Sequence, residues 1–351
     1  MLSQCWLHIG TEKTGTTSIR NFLAQNRATL LAQGYLYPTA AGEPGHGALT
    51  AFALDDSKSD STRLALGIDR PDLVPAFRQD LLAAFDKEIA ASGASQIIMS
   101  NELLSTRLRT MDELLRLGQF CDQIASNTKV VVYIRNQVDF LVSRYTNVIL
   151  EGGTDTFLHR GAPHMANYAK LLERWSEVFG RDNILVRRFE PADFRDGDLL
   201  ADFAGEIGFD DRGFFRAVRS NPSLDEDGIL YLRALNKLLS PTMTKRLRPY
   251  RARIAELLQR QSGSTRLMIS NELSDIIETR FRASNEEVSR RYFGARFQPL
   301  FSPPLSAGPP GWTPKDSLDL SCRVGMTIRL LFGLMAGANA NTSSIHPIAR
   351  N

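Results

Sequence analysis

Cysteine is scarce: Cys5, Cys121 and Cys322 are the three in 351 residues, too far apart for a disulfide framework or a metal cluster. They read as buried thiols of a reducing compartment. Net charge is scarce too. A formal +3 excludes an argument for bulk nucleic-acid binding, although a locally basic anion site is compatible with it. There is no internal repeat, and no apolar run is long enough to cross a bilayer. The most apolar late stretch, Val324 to Gly337, is short and contains Arg329, so it is expected to dock on the body or to touch a membrane peripherally. The glycine loop described below begins within ten residues of Met1, which leaves no room for a signal peptide and makes the cytoplasm the expected location.

What is present is ordinary for a soluble globular chain: 43% hydrophobic and 23% charged residues, enough for one large or two medium domains. Short apolar runs at Cys5–Ile9, Gln96–Met99, Lys129–Ile134 and Asn183–Phe189 predict buried strands. Between them, helical periodicity is seen over residues 19–31, 75–92, 111–126, about 137–150 and 165–179. Residues 39–50 and 151–163 are small and polar and predict loops, the second long enough to be a lid. Strands alternating with helices predict an α/β fold, a mostly parallel sheet between helices on both faces. From about residue 198 the pattern is helical. Residues 245–253 form a basic cluster, a solvated face or a grip on an anionic acceptor. Residues 301–314, rich in proline and glycine, read as a linker.

The first strand runs into Gly10-Thr11-Glu12-Lys13-Thr14-Gly15-Thr16-Thr17-Ser18 and then into a helix. A glycine loop between a strand and a helix N-terminus points backbone N–H groups and a positive dipole end at one spot, an anion cradle. It is not a Walker loop. The Gly10 to Gly15 spacing fits, but Thr16 stands where the Walker lysine would be, and Lys13 lies two places before Gly15. The third strand ends in Arg135, where a Walker B strand ends in an acid that holds magnesium; a guanidinium clamps phosphate instead. Ser143, two turns into the next helix, could face back to the same phosphate.

Lys13-Thr14-Gly15-Thr16-Thr17 resembles the 5′-phosphosulfate-binding loop of sulfotransferases that use 3′-phosphoadenosine 5′-phosphosulfate (PAPS), and Arg135 with Ser143 resembles their 3′-phosphate-binding element. Tyr168, Trp175, Phe179 and Gly180 before the fourth strand are similar to a recurrent helix of the bacterial branch, and Arg219-Ser220-Asn221-Pro222-Ser223 to the later loop that closes over the nucleotide. The resemblance covers about residues 5–225. It implies a P-loop-like three-layer α/β/α fold, with a sulfotransferase domain over 1–300 (nucleotide core to about 225, a helical acceptor side over 226–300) and a linker and tail over 301–351.

It also implies PAPS as donor, adenosine 3′,5′-bisphosphate as product, no metal, and a carbohydrate or small-metabolite acceptor. Lys13, Thr14, Gly15, Thr16, Thr17, Ser18, Arg135, Ser143 and Arg219 would bind the donor, and Lys13 would also stabilise the leaving phosphate. The general base stays open between Glu102, after the second core strand, and His46, in the 39–50 loop, with Glu43 behind them. His8 reads as a packed core histidine. Many eukaryotic relatives have a tryptophan on adenine where Ser18 stands, which leaves Arg187 and Phe189 as candidates for that contact. A nucleotide or small-molecule kinase and a non-catalytic nucleotide-binding protein are the alternatives.

Overall fold

The structure, a computed structural model, describes residues 1–158, 162–217, 224, 226–239, 250, 253–255, 258 and 267–308. They form two compact units from interleaved segments. The first takes the described residues of Met1–Phe140, Gly161–Arg219 and Glu278–Pro304; the second takes those of Leu141–Arg160, Ser220–Ile277 and Leu305–Asn351.

The first unit is built on β1 (Gln4–His8), β2 (Tyr35–Leu36), β3 (Gln96–Ser100), β4 (Thr128–Ile134) and β5 (Ile184–Arg188). They make one sheet in the order β2-β3-β1-β4-β5, every pairing parallel. Along the chain the helices are α1 (Thr16–Gln25), α2 (Arg27–Ala32), α3 (Gly47–Ala53), α4 (Ser61–Ala65), α5 (Val74–Ser92), α6 (Leu103–Arg107) and α7 (Met111–Ile124). They continue as α8 (Gln137–Leu150), α9 (Ala162–Met165), α10 (Tyr168–Phe179), α11 (Leu199–Ile207), α12 (Glu226–Leu238) and α13 (Asn271–Phe293). None of them is long and apolar enough to cross a membrane.

Period-two alternation sorts each strand between two cores. Leu7, Met99, Val130, Val132 and Val186 point into one core, with Leu114 and Leu117 of α7 and Leu172 and Trp175 of α10. Trp6, Ile98, Val131 and Tyr133 point into the other, with Ile19, Phe22 and Leu23 of α1 and Phe203 of α11. Strands buried on both faces explain the continuous apolar runs. The result is a P-loop-like three-layer α/β/α fold.

The helices start where capping chemistry allows. Thr110 and Glu113 form a reciprocal capping box at α7, Asn167 accepts the Lys170 N–H at α10, and Asp198 accepts from Leu200 and Ala201 at α11. The 39–50 loop is shorter than its composition predicts, because α3 begins at Gly47. Ala48, Leu49, Ala51, Phe52 and Ala53 are all buried, so α3 has no polar face for a periodicity search to find. Its last carbonyls are capped from afar: Arg63 Nε donates to Ala51, Arg78 Nε to Phe52 and Arg116 Nη1 to Ala53, at 3.1, 2.9 and 2.6 Å. The predicted 165–179 helix is broken after Met165 and resumes at Tyr168.

In the second unit, Asn236 of α12 donates to the carbonyls of Ile149 and Gly153, at 2.9 and 2.8 Å, and so ties α12 to the end of α8. Residues 309–351 and most of the 245–253 cluster lie outside the described residues, and with them the tail reading; of the 301–314 linker reading, residues 301–308 are described, with Phe301 buried in the first unit's core and the Ser302 N–H donating to Glu190 at 2.8 Å.

Candidate active site

In an open parallel sheet, ligands meet the chain beyond the carboxyl ends of the strands, where the strand order reverses. β1 is central here, with β3 on one side and β4 on the other, and the glycine loop follows it directly. The loop first keeps company with β4: Ile9 N–H donates to Val131, Thr11 N–H to Tyr133, and Tyr133 N–H to Gly10, at 3.0, 2.9 and 2.7 Å. It then curls. The Thr14 and Thr16 hydroxyls both donate to the Thr11 carbonyl, at 2.6 and 3.2 Å, which folds the loop around that oxygen.

Both threonines are buried, and their hydroxyls are bonded inside the loop. Thr17 is exposed and Ser18 half-buried. Gly15 opens α1 with φ +77°, and a Cβ there would lie 2.3 Å from Leu199 Cδ2, so both backbone and space demand glycine. α1 has no side-chain cap and no acid in its first turn, which leaves the positive end of its dipole uncompensated. Lys13 sits in the left-handed region, φ +63°, a conformation costly for any residue with a Cβ.

Arg135 follows β4 directly, and its Nη1 donates to the Lys13 carbonyl at 3.2 Å. Its guanidinium lies 5.6 Å from the centre of the Phe189 ring, and Phe189 is also the neighbour of Gly15. Two cationic residues 122 positions apart therefore meet at one place at the sheet edge. Arg187 turns away: it is ion-paired with buried Asp202 and with Glu206, which removes it from the adenine candidates and leaves Phe189. Ser143 is half-buried in α8 and belongs to the second unit. Arg219 lies outside the described residues.

Glu102 stands after β3 and against the loop, since a Cβ on Gly10 would touch its Cα and Cβ at 3.1 Å. Arg20 of α1 is its counter-charge, Nη1 to Oε2 2.8 Å, an ion pair that the sequence does not signal. Glu43, half-exposed, pairs with Arg27 at 2.5 Å.

His46 is not the loop histidine that its neighbours suggest. It is fully buried, its Nδ1 accepts the Ser100 N–H at 3.0 Å, and its Nε2 faces the Pro38 carbonyl at 3.0 Å. The Nδ1 lone pair is engaged, so this ring has none to take a substrate proton. Burial, which outweighs the Pro38 bond, pushes its pKa down to about 3, aided by the Arg27 and Arg20 charges. His8 is likewise a core residue, bonded through Nδ1 to Ser100 Oγ at 2.7 Å and lowered to about 3 by burial and then by Arg20.

Both histidines are protonated more readily in the unfolded chain, so the stability they contribute is full above pH 6.5 and falls as pH drops towards 3. At pH 5 each is expected to have cost about 2 kcal/mol of unfolding free energy. Urea melts at pH 7 and pH 5 check this; equal midpoints would contradict it. Among the described residues, no cluster of His, Cys, Asp and Glu could hold a metal ion.

No protein-family model matches the chain. It is 26% identical over 210 residues to an uncharacterized protein of Archaeoglobus fulgidus, covering 59% of this chain and 56% of that protein. The chain thus spans little more than half the length of this relative. Among solved structures, a sulfotransferase from Alicyclobacillus acidocaldarius aligns with it at a TM-score of 0.40 and 14% identity, over 74% of this chain and 96% of that one.

Proposed function

We propose that the chain transfers a sulfuryl group from PAPS to a hydroxyl, or an amine, of a carbohydrate or small-metabolite acceptor. The observation that carries this reading is the meeting of Lys13 and Arg135, through the 3.2 Å bond from the guanidinium to the loop. An uncapped helix start with a lysine on its loop suits a 5′ phosphosulfate, and an arginine at the end of β4 suits a second phosphate on the same nucleotide. A kinase reading lacks both of its usual marks: lysine does not follow Gly15, and β4 does not end in an acid.

In the proposed reaction the acceptor oxygen attacks sulfur in line, and the bond from sulfur to the 5′-phosphate oxygen breaks. Lys13 offsets the charge that builds on that oxygen, and the bisphosphate leaves. The acceptor proton goes to Glu102, which stands at the loop as a carboxylate partnered by Arg20, whereas His46 has no free lone pair. Glu102→Gln is then expected to lower transfer about 100-fold, measured with an acceptor found by screening labelled donor; unchanged turnover would exclude Glu102.

Ligand-dependent melting tests the donor. Adenosine 3′,5′-bisphosphate at 100 times its Kd should stabilise the chain by roughly 2.7 kcal/mol, and ATP with magnesium should not. Stabilisation by ATP with magnesium alone would favour the kinase reading.

A further inference from the structure

Tyr168 opens α10 and is fully buried. Its hydroxyl donates to the Arg135 carbonyl at 2.7 Å and accepts a longer bond, 3.4 Å, from the Arg135 N–H. These contacts fall where the sheet stops helping: the β4–β5 ladder ends at Ile134, paired with Arg188, and Arg135 is the next residue. Arg135, in turn, is bonded to the glycine loop, because its Nη1 donates to the Lys13 carbonyl at 3.2 Å. One phenol therefore holds the main chain of the arginine that reaches the loop.

The phenol itself is rigidly mounted. Leu171, Leu172 and Trp175, one and two turns further along α10, are packed in the same core as Val130 and Val132 of β4, and the Phe301 ring meets the Tyr168 ring edge-on at 6.2 Å. A buried hydroxyl on a helix so anchored has a fixed position, and what it bonds inherits that position.

We propose that Tyr168 is a positioning residue for the second phosphate of the donor: by fixing the Arg135 main chain against the glycine loop, it sets the place of the guanidinium that reads that phosphate. The proposal rests on the donor assignment made above. Tyr168 itself touches no ligand. Removing its hydroxyl leaves the charge of Arg135 intact and loosens its aim. The loss should fall on the phosphate that Arg135 reads and not on the one held by the loop, which keeps its own bonds to Tyr133.

The test is calorimetric titration of the full chain with adenosine 3′,5′-bisphosphate and with adenosine 5′-monophosphate, for the wild type, Tyr168→Phe, Arg135→Ala and the double variant. The wild type is expected to prefer the bisphosphate. Tyr168→Phe should reduce that preference about fivefold, the equivalent of one hydrogen bond, with the monophosphate affinity unchanged. In the Arg135→Ala background, Tyr168→Phe should leave the remaining preference where it is.

Partial unfolding lowers both affinities by the same factor, so the ratio separates positioning from instability. A Tyr168→Phe variant with the wild-type ratio, or one that lowers the ratio equally with and without Arg135, overturns the proposal. A wild type that does not distinguish the two nucleotides instead refutes the underlying assignment of Arg135.

Discussion

Lys13→Ala is expected to lower sulfuryl transfer by about 100- to 1,000-fold while leaving the chain folded. The size follows from the role proposed for it: a fixed cation at a developing oxyanion acts where charge appears in the transition state. The backbone supplies an internal control. Lys13 has φ +63°, a conformation in which a Cβ costs roughly 1–2 kcal/mol. Compared with Lys13→Ala, Lys13→Gly should therefore be the more stable protein by about 1 kcal/mol and be equally inactive. A position where glycine would relieve strain but lysine is found is one where the side chain is worth its cost to function. Assaying both variants beside their melting curves decides it. A Lys13→Gly variant that keeps wild-type turnover would remove Lys13 from the chemistry.

Asp202→Ala is the substitution with the largest expected effect on folding, a loss of about 3–5 kcal/mol. The Asp202 side chain is 2% exposed and lies in α11, under β4 and β5. It accepts from the Tyr133 hydroxyl at 2.8 Å, pairs with the Arg187 guanidinium through both oxygens, and takes the Arg195 N–H at 3.2 Å. Alanine would strand a buried phenol and leave a half-buried guanidinium only with Glu206, 3.5 Å away. Tyr133 is pushed far above the usual phenol range by burial and by Asp202, so it remains a neutral donor at every accessible pH. Urea denaturation measures the loss. Glu206→Ala, which removes the outer partner alone, should cost less than about 1 kcal/mol. A comparable loss from both would mean that the inner pair is not the anchor.

The strands were legible because burial on both faces leaves a plain mark, a run such as Val130-Val131-Val132. The glycine loop was legible because strand, glycine and helix follow one another in the chain. α3 was not, since its small residues are buried all round and the arginines that cap it come from residues 63, 78 and 116. His46 misled for a related reason. Flanking glycines and a proline describe a loop, but they do not say that the loop folds inward until the imidazole spans Ser100 and Pro38. The Arg20–Glu102 pair joins residues 82 positions apart with no local pattern. What the sequence could place at the sheet edge was the backbone-borne part of the site, whereas its side-chain partnerships are long-range.

That the Thr14 and Thr16 hydroxyls turn inward, onto Thr11, has an evolutionary consequence. With those two hydroxyls committed inside the loop, Lys13 is the foremost loop side chain left for single substitutions to retune. Beyond that lysine, the loop changes only if the path of the chain changes, which Gly15, wedged against Leu199, resists. Divergence among descendants of this chain should therefore spare the loop and accumulate elsewhere. Random mutagenesis followed by selection for fold should show the same contrast, with Gly15 nearly invariant and exposed Thr17 freely replaced.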